Sequence, residues 1–465
     1  MPEISEVVAE LRSIVSPSAV LTDDDILDAY SHDTWPLSTK QAGLGIHETR
    51  PDVVVRIESF DDAAAVFALA STRSIPVTIR ALASSVTGQP LPVQGGIILD
   101  VSAVPAQYSV NRTNMTVTAT ASFNGGELER LLEEERLTLG HSPQSLHRST
   151  VGGWVSTLAT GQFSSKYGGI EDLLVGCTVI LATGETVELK ANPRAAMGPD
   201  LRQVFIGAEG TLGLVTSVTL KVFRHDLPTE LEAFSMPDVQ SGLDVLREQS
   251  ILGLSPFLLR FYDNFEARHV LGDEEFSTPL LFIGVRGPQE MIDAELAILR
   301  RLIAERGGES IGSAPVERWM ANRFDFSSVE NRLAENGGFA ETIEVAHNWD
   351  GIVPLYEDLR RALSPLAEDV YSHWSHVYPQ GTSLYVILKG HAEDDPAAIA
   401  AIQTMWSTAM DVCLEHGAEL SHHHGGGLAR SPYSRASLGS AHIVLQKLKA
   451  ALDPAGILNP GKLGL

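Results

Sequence analysis

The chain has 465 residues, 44% of them hydrophobic and 20% charged, enough apolar material for two or three domains with sizeable cores. Its formal net charge of −25 argues against nucleic acid or an anionic membrane surface as a main partner, because both reward clustered Lys and Arg. Two distant cysteines, Cys177 and Cys413, an acidic N-terminus without a signal-peptide pattern, and no apolar run near the ~18 residues of a membrane span predict a cytoplasmic protein without an integral membrane segment.

Taken in chain order, residues 3–15 place Ile4, Val7, Val8, Leu11 and Val15 at helical spacing. Residues 50–56 read as a strand, and an Ala-rich helix over 61–71 follows, capped by the Ser59/Asp61 region. Strands over 77–79 and 96–100 complete an α/β rhythm with short connections. Residues 114–121 alternate as a strand, 126–135 form a helix, 178–181 and Thr186–Leu189 flank a hairpin turn, and 214–222 alternate again. From about residue 228 the character changes to long acidic helices over 239–248, Gln289–Glu305 and 395–414. Strands over Leu258–Tyr262, 280–285 and 384–388 lie between them, predicting a separate sheet with helices on one face. A last helix, His442–Leu452, ends at Asp453-Pro454-Ala455-Gly456.

No Gly-x-Gly-x-x-Gly follows the first strand, and His-Glu-x-x-His, Cys-x-x-Cys and Gly-x-Ser-x-Gly are all missing from the sequence. Three short polar loops stand out instead. Residues 80–88 offer Arg80, Ser84, Ser85, Thr87 and Gly88. Residues 143–161 offer Pro143, Ser145, Ser149, Thr150, Gly152, Gly153, Ser156 and Thr157. Residues 207–213 offer Glu209 and Gly210, with Val215 just beyond. Small residues let a backbone approach a ligand closely, and free N–H and hydroxyl groups then grip an anion.

Together with the α/β rhythm, these loops resemble the FAD-binding domain of the vanillyl-alcohol-oxidase superfamily. Within it, residues 149–157, 167–173 and Ser421-His422-His423-His424-Gly425 are similar to alkyl-dihydroxyacetonephosphate synthases. The resemblance implies an α+β protein: a two-subdomain FAD-binding domain over 1–225, an α+β cap domain over 226–420, and a segment over 421–465 that returns to the flavin site. It implies an FAD-dependent enzyme acting on a small anionic substrate through flavin N5. Alternatives are an FAD-dependent 2-hydroxy-acid oxidase or dehydrogenase, and a flavin-free binding or scaffold protein on the same fold. The third is motivated by Ala81 and Ala83, which stand where relatives carry glycines and would be strained at positive φ. No histidine lies in 80–88, so the FAD is expected to be non-covalent.

By the same resemblance Tyr378 is the proton-transfer tyrosine and Arg260 meets the substrate's anionic group, as a planar fork suits a carboxylate or phosphate. His422, His423 and His424 shape the oxyanion end, with His376 beside them. Tyr385 and His423 stand where the neighbouring D-2-hydroxy-acid dehydrogenases carry a metal-binding His and Glu, so no metal is expected. His373, within His373-Trp374-Ser375, reads as structural packing, and a homodimer is the default expectation.

Overall fold

The computed structural model describes residues 4–465, so Glu3 of the predicted first helix lies outside the described residues. The first sheet contains β1 (Val20–Leu21), β2 (Val53–Arg56), β3 (Val77–Arg80) and β4 (Ile97–Asp100) in the order β1-β2-β4-β3. Strands β2 and β3 both run parallel to β4, with Val53 and Val77 flanking Ile97. The helix Phe60–Arg73 joins β2 to β3, and the Ser59 hydroxyl accepts from the Asp61 N–H at its start. Parallel strands covered on both faces need continuous apolar residues, and Val53, Val54 and Val55 are fully buried.

Next come β5 (Tyr108–Asn111), β6 (Thr116–Thr120), β7 (Leu137–Thr138), β8 (Leu174–Ile180), β9 (Thr186–Leu189), β10 (Leu214–Lys221) and β11 (Phe223–Arg224). They form an antiparallel sheet of order β5-β6-β10-β8-β9 and a small β7–β11 pair. Strand β10 is irregular between Val215 and Ser217, where it passes the cavity described below.

The third sheet holds β12 (Thr229–Ser235), β13 (Leu258–Tyr262), β14 (Leu280–Arg286), β15 (Glu309–Gly312), β16 (Gly338–Asn348), β17 (Asp369–Trp374), β18 (Val377–Tyr378) and β19 (Gly381–His391). Its order is β15-β12-β14-β13-β17-β19-β16, with β18 paired to the start of β19. Strand alternation divides this sheet. Leu259, Phe261, Leu384, Val386 and Leu388 pack under the helices Val239–Ile251, Gln289–Glu305, Ile352–Leu363 and Asp395–His416. Arg260, His373, Tyr385, Ile387 and Lys389 take the opposite parity and line a cavity. Asp395–His416 is long and apolar enough to cross a membrane, but Ile402, Met405, Ala409 and Met410 sit in the core, which accounts for its composition.

Sequence patterning missed the segment between residues 20 and 50, which holds β1 and the helices Asp24–Ala29 and Pro36–Gly43. This segment ties the two halves together: Trp35 packs in the core of the third sheet and its indole N–H donates to Glu341. The tail returns to the first sheet, where the Asn459 N–H donates to the Val77 carbonyl at 2.8 Å.

Candidate active site

One cavity of about 870 Å³ runs between the first two sheets and the open face of the third. All three predicted loops border it. From 80–88 it takes Ser84 and Ser85 with Ala81, Leu82, Ala83 and Val86. Among the described residues, the backbone N–H groups of Leu82 through Val86 donate to no protein acceptor. Five consecutive free donors on a bent backbone make an anion-binding concavity. Ala83 adopts φ +52°, whereas Ala81 does not take positive φ. Alanine at this left-handed position is strained by about 1 kcal/mol.

Three residues of that loop are not on the wall. The Arg80 guanidinium turns away to the Tyr30 carbonyl and lies over the Tyr30 ring. Thr87 is fully buried, its hydroxyl donating to the His424 carbonyl. The Gly88 N–H donates to Asp33 at 3.0 Å. They anchor the loop, and Thr87 also accepts the Leu428 N–H, which couples it to the segment after the His triplet.

From 143–161, Pro143, Ser145, Ser149, Thr150, Gly152, Gly153, Ser156 and Thr157 all line the cavity. The helix Val151–Thr157 begins there, with the Thr150 hydroxyl accepting from Gly153 N–H. A Cβ on Gly152 would come within 2.5 Å of the Ala121 Cβ, so that glycine is set by packing. A Cβ on Gly153 would meet only the Thr150 hydroxyl, leaving its cavity side open. Glu209, Gly210 and Val215 complete the wall. The buried Glu209 carboxylate accepts the N–H groups of Gly426 and Gly427, so it also fixes the loop that carries the histidines. His32, Asp33 and Thr34 join the lining without a motif in the sequence to mark them, and so does Asn459 from the C-terminal segment.

At the far end Arg260 donates from Nη2 to His373 Nε2 at 2.8 Å and from Nε to the Tyr262 hydroxyl. No carboxylate pairs with it among the described residues, and its Nη1 makes no hydrogen bond there. His373 is not mere packing. Its Nδ1 lies 2.8 Å from Glu266, and it stacks on Tyr385 with ring centroids 4.6 Å apart. This fixes the tautomer: Nδ1–H donates to Glu266, and Nε2 accepts from Arg260. Burial holds His373 neutral and pushes the Glu266 carboxyl up to about 7.

The His triplet is arranged around Glu344. This fully buried carboxylate accepts the N–H groups of His422 and His424 and the Ser421 hydroxyl, and pairs with Arg430. Burial opposes its charge, but Arg430 and the neighbouring imidazoles hold it well below the usual carboxylate range. Burial drives His422 and His423 down to about 3 and His424 to about 4, so all three are neutral near pH 7.

His376, His423 and His424 line the cavity; His422 stands behind them. Tyr378 is not among the residues lining the cavity: its hydroxyl bonds His422 Nε2 at 2.8 Å, and the residue is 37% exposed. Tyr371 and Tyr385 both lie on the wall, and the Tyr385 hydroxyl stands 3.4 Å from His424 Nε2. One nitrogen each of His376, His422 and His423 falls within 4.8 Å of the others. Stacking of His376 on His422 and the His422–His423 hydrogen bond join these rings.

Residues 51–190 match the FAD binding domain family, and residues 228–463 match the family described as FAD linked oxidases, C-terminal domain. The chain belongs to the FAD-linked oxidases. Over 98% of both chains it is 30% identical to an uncharacterized FAD-linked oxidoreductase, YgcU, of Escherichia coli K12. It is 26% identical to alkyldihydroxyacetonephosphate synthase of Dictyostelium discoideum, over 98% of this chain and 80% of that one. A solved alkyldihydroxyacetonephosphate synthase superposes with a TM-score of 0.80 at 23% identity, covering 98% of this chain and 84% of that one. This FAD-linked oxidase therefore has the vanillyl-alcohol-oxidase type of fold, and FAD is its cofactor. The free N–H groups of Leu82–Val86 and the open side of Gly153, both on the lining of this cavity, fit the cofactor's pyrophosphate. The flavin-free reading loses its ground, because the chain matches FAD-linked families over both stretches and Ala83 does take the left-handed conformation.

Proposed function

We propose that this FAD-dependent enzyme acts on a small anionic substrate in the manner of the alkyl-dihydroxyacetonephosphate synthase-like branch, through the flavin N5 end of the cavity. The supporting observation is that a guanidinium without a carboxylate partner, Arg260, and a phenol on a neutral imidazole, Tyr385 on His424, share one wall. Bound FAD supplies an electrophilic N5 and two-electron capacity. Arg260 Nη1 faces the substrate's carboxylate or phosphate, and His373 with Glu266 fixes the guanidinium plane. Burial raises the Tyr385 pKa, so it is a phenol at rest. A proton leaving the substrate passes to the Tyr385 oxygen as the phenolic proton moves to His424 Nε2. Assigning proton transfer to Tyr385 replaces the expectation placed on Tyr378.

Oxidation of a 2-hydroxy acid is the second reading. It is favoured by the spacing: His373 bonds Arg260 and stacks on Tyr385, so anion holder and proton acceptor are one imidazole apart. That suits a carboxylate beside the carbon bearing the hydroxyl. Anaerobic mixing of holoenzyme with short 2-hydroxy acids and with phosphate-bearing ketones decides. A flavin spectrum that shifts without bleaching supports the first reading, and bleaching by a 2-hydroxy acid supports the second. An unchanged spectrum that persists in Arg260→Met and wild type alike, with no ligand measurable by calorimetry, refutes the anion site.

A further inference from the structure

The cavity wall carries a second cation besides Arg260. Lys389 lies on β19 four residues beyond Tyr385 and on the same face, about 13 Å further along at the usual strand rise. Its ammonium stands 5.8 Å from the centre of the Tyr371 ring, and among the described residues it makes no hydrogen bond and no ion pair. Burial lowers its pKa, as a half-buried charge without a close partner requires. Tyr371 stacks on His269 with ring centroids 5.2 Å apart, and both rings line the cavity. His269 is exposed, which puts these three groups at the cavity rim. Between Tyr385 and Lys389 the same face of β19 presents Ile387, and Ala340 and Leu333 also line the cavity. The acidic groups facing Lys389 are engaged elsewhere. Asp369, its register partner on β17, acts on the Tyr371 hydroxyl, and Glu266 holds His373. Arg332 adds positive charge from the other side.

We propose that Lys389, with His269 and Tyr371, forms a subsite for a second carboxylate, so that the substrate is an elongated dicarboxylate rather than a short acid. This rests on the reading of Arg260 as the holder of the first anion. With one carboxylate on Arg260 and the reacting carbon beside Tyr385, a methylene chain passes over Ile387 and the far carboxylate reaches Lys389. A lysine ammonium is a compact point charge and suits a single carboxylate, to which a His269 N–H also donates. A plain alkyl tail of the same length would cover the ammonium without pairing it, which costs free energy, and a short acid would leave it unused. Against a net charge of −25, a dianion needs a local positive field at both of its ends, and Arg260 and Lys389 supply one each.

Binding to the holoenzyme is measured by calorimetry, with saturated dicarboxylates of about six to twelve carbons, bracketing the strand span, each paired with the monocarboxylate of equal length. The two members of a pair differ only at the far end, so the ratio of their affinities is the readout. At the lengths that span the wall, Lys389→Met, which keeps an unbranched apolar stem and removes the charge, is expected to lower this ratio about fivefold or more. Lys389→Arg is expected to keep it. In wild type the ratio should fall as salt rises, because the pair sits at a rim that solvent reaches. A ratio that Lys389→Met leaves unchanged at every length overturns the subsite, and so does the absence of measurable binding by every dicarboxylate.

The same titrations read Arg260 separately. Arg260→Met is expected to weaken both members of a pair by a common factor and so to leave the ratio as it is in wild type. If Arg260→Met changes neither affinity, the first anion site fails, and the ratio still reports on Lys389. If Arg260→Met weakens both acids while Lys389→Met leaves the ratio untouched, the second subsite alone is refuted.

Discussion

Glu344 and Arg430 form an enclosed ion pair, Oε1 to Nη2 at 3.2 Å, with almost no exposure of either side chain. The glutamate lies on β16 and holds the backbone of the His triplet from beneath, so the pair ties the third sheet to the histidine side of the cavity. Removing one partner of such a pair leaves the other charge buried and unpaired. Glu344→Gln is therefore expected to lower unfolding stability by about 3–5 kcal/mol, measured by denaturant titration of the holoenzyme. The sign with pH follows from the depressed pKa. Glu344 contributes its stability above the ordinary carboxylate pKa and keeps it until pH falls well below that range, so the wild-type advantage over Glu344→Gln shrinks only in strong acid.

Tyr385 and His424 are predicted to carry the proton step. Tyr385→Phe keeps the stack on His373 and removes only the hydroxyl. Turnover is expected to fall about 10²–10⁴-fold with little change in bound flavin or in anion affinity. Arg260→Lys retains charge but loses the planar fork, and is expected to raise KM more than it lowers kcat. Equal loss of kcat and kcat/KM in Arg260→Lys would move Arg260 from binding into the transition state.

Four buried carboxyls, Glu129, Asp263, Glu266 and Glu341, are each pushed up to about 7 by burial. A folded pKa raised above the unfolded value stabilises below the unfolded pKa and loses that contribution as pH rises through the folded one. The protein is thus expected to be more stable at pH 5 than at pH 8 with respect to these groups, by at most about 3 kcal/mol each. Glu341 accepts from the indole N–H groups of Trp35 and Trp406, which an amide oxygen also does. Glu341→Gln should therefore flatten the stability–pH slope between pH 5 and 8 without unfolding the protein. An unchanged slope refutes the assignment for Glu341.

Much of this was legible in the sequence, for reasons that differ by residue. Loops built from Ser, Thr and Gly announce themselves locally, so the cavity-lining members of 143–161 were readable as a set. Glu344 was not, because nothing near it in the chain marks it; strand register alone carries it beneath residues 422–424. Arg80, Thr87 and Gly88 share the look of a ligand loop, but their groups go to Tyr30, His424 and Asp33 from distant segments. That Tyr385 lines the cavity was within reach. Leu384, Val386 and Leu388 are the apolar parity of β19, which puts Tyr385, Ile387 and Lys389 on the other face.

Ala83 offers the most direct probe of the cofactor loop. It holds φ +52° in a loop whose neighbouring N–H groups stay free for an anion. Glycine occupies that conformation without the Cβ–carbonyl contact, so Ala83→Gly is expected to stabilise the folded loop by up to about 1 kcal/mol, offset in part by the greater entropy of unfolded glycine. The gain falls on the state that binds FAD, and a preformed loop pays less ordering cost when the cofactor arrives. Slower FAD release on dilution and a modest rise in holoenzyme melting temperature are the expected results. Ala81 does not take positive φ, so Ala81→Gly adds backbone freedom without relieving strain and should shift both readouts the other way. Identical behaviour of the two variants would show that the left-handed turn at Ala83 has no bearing on flavin binding.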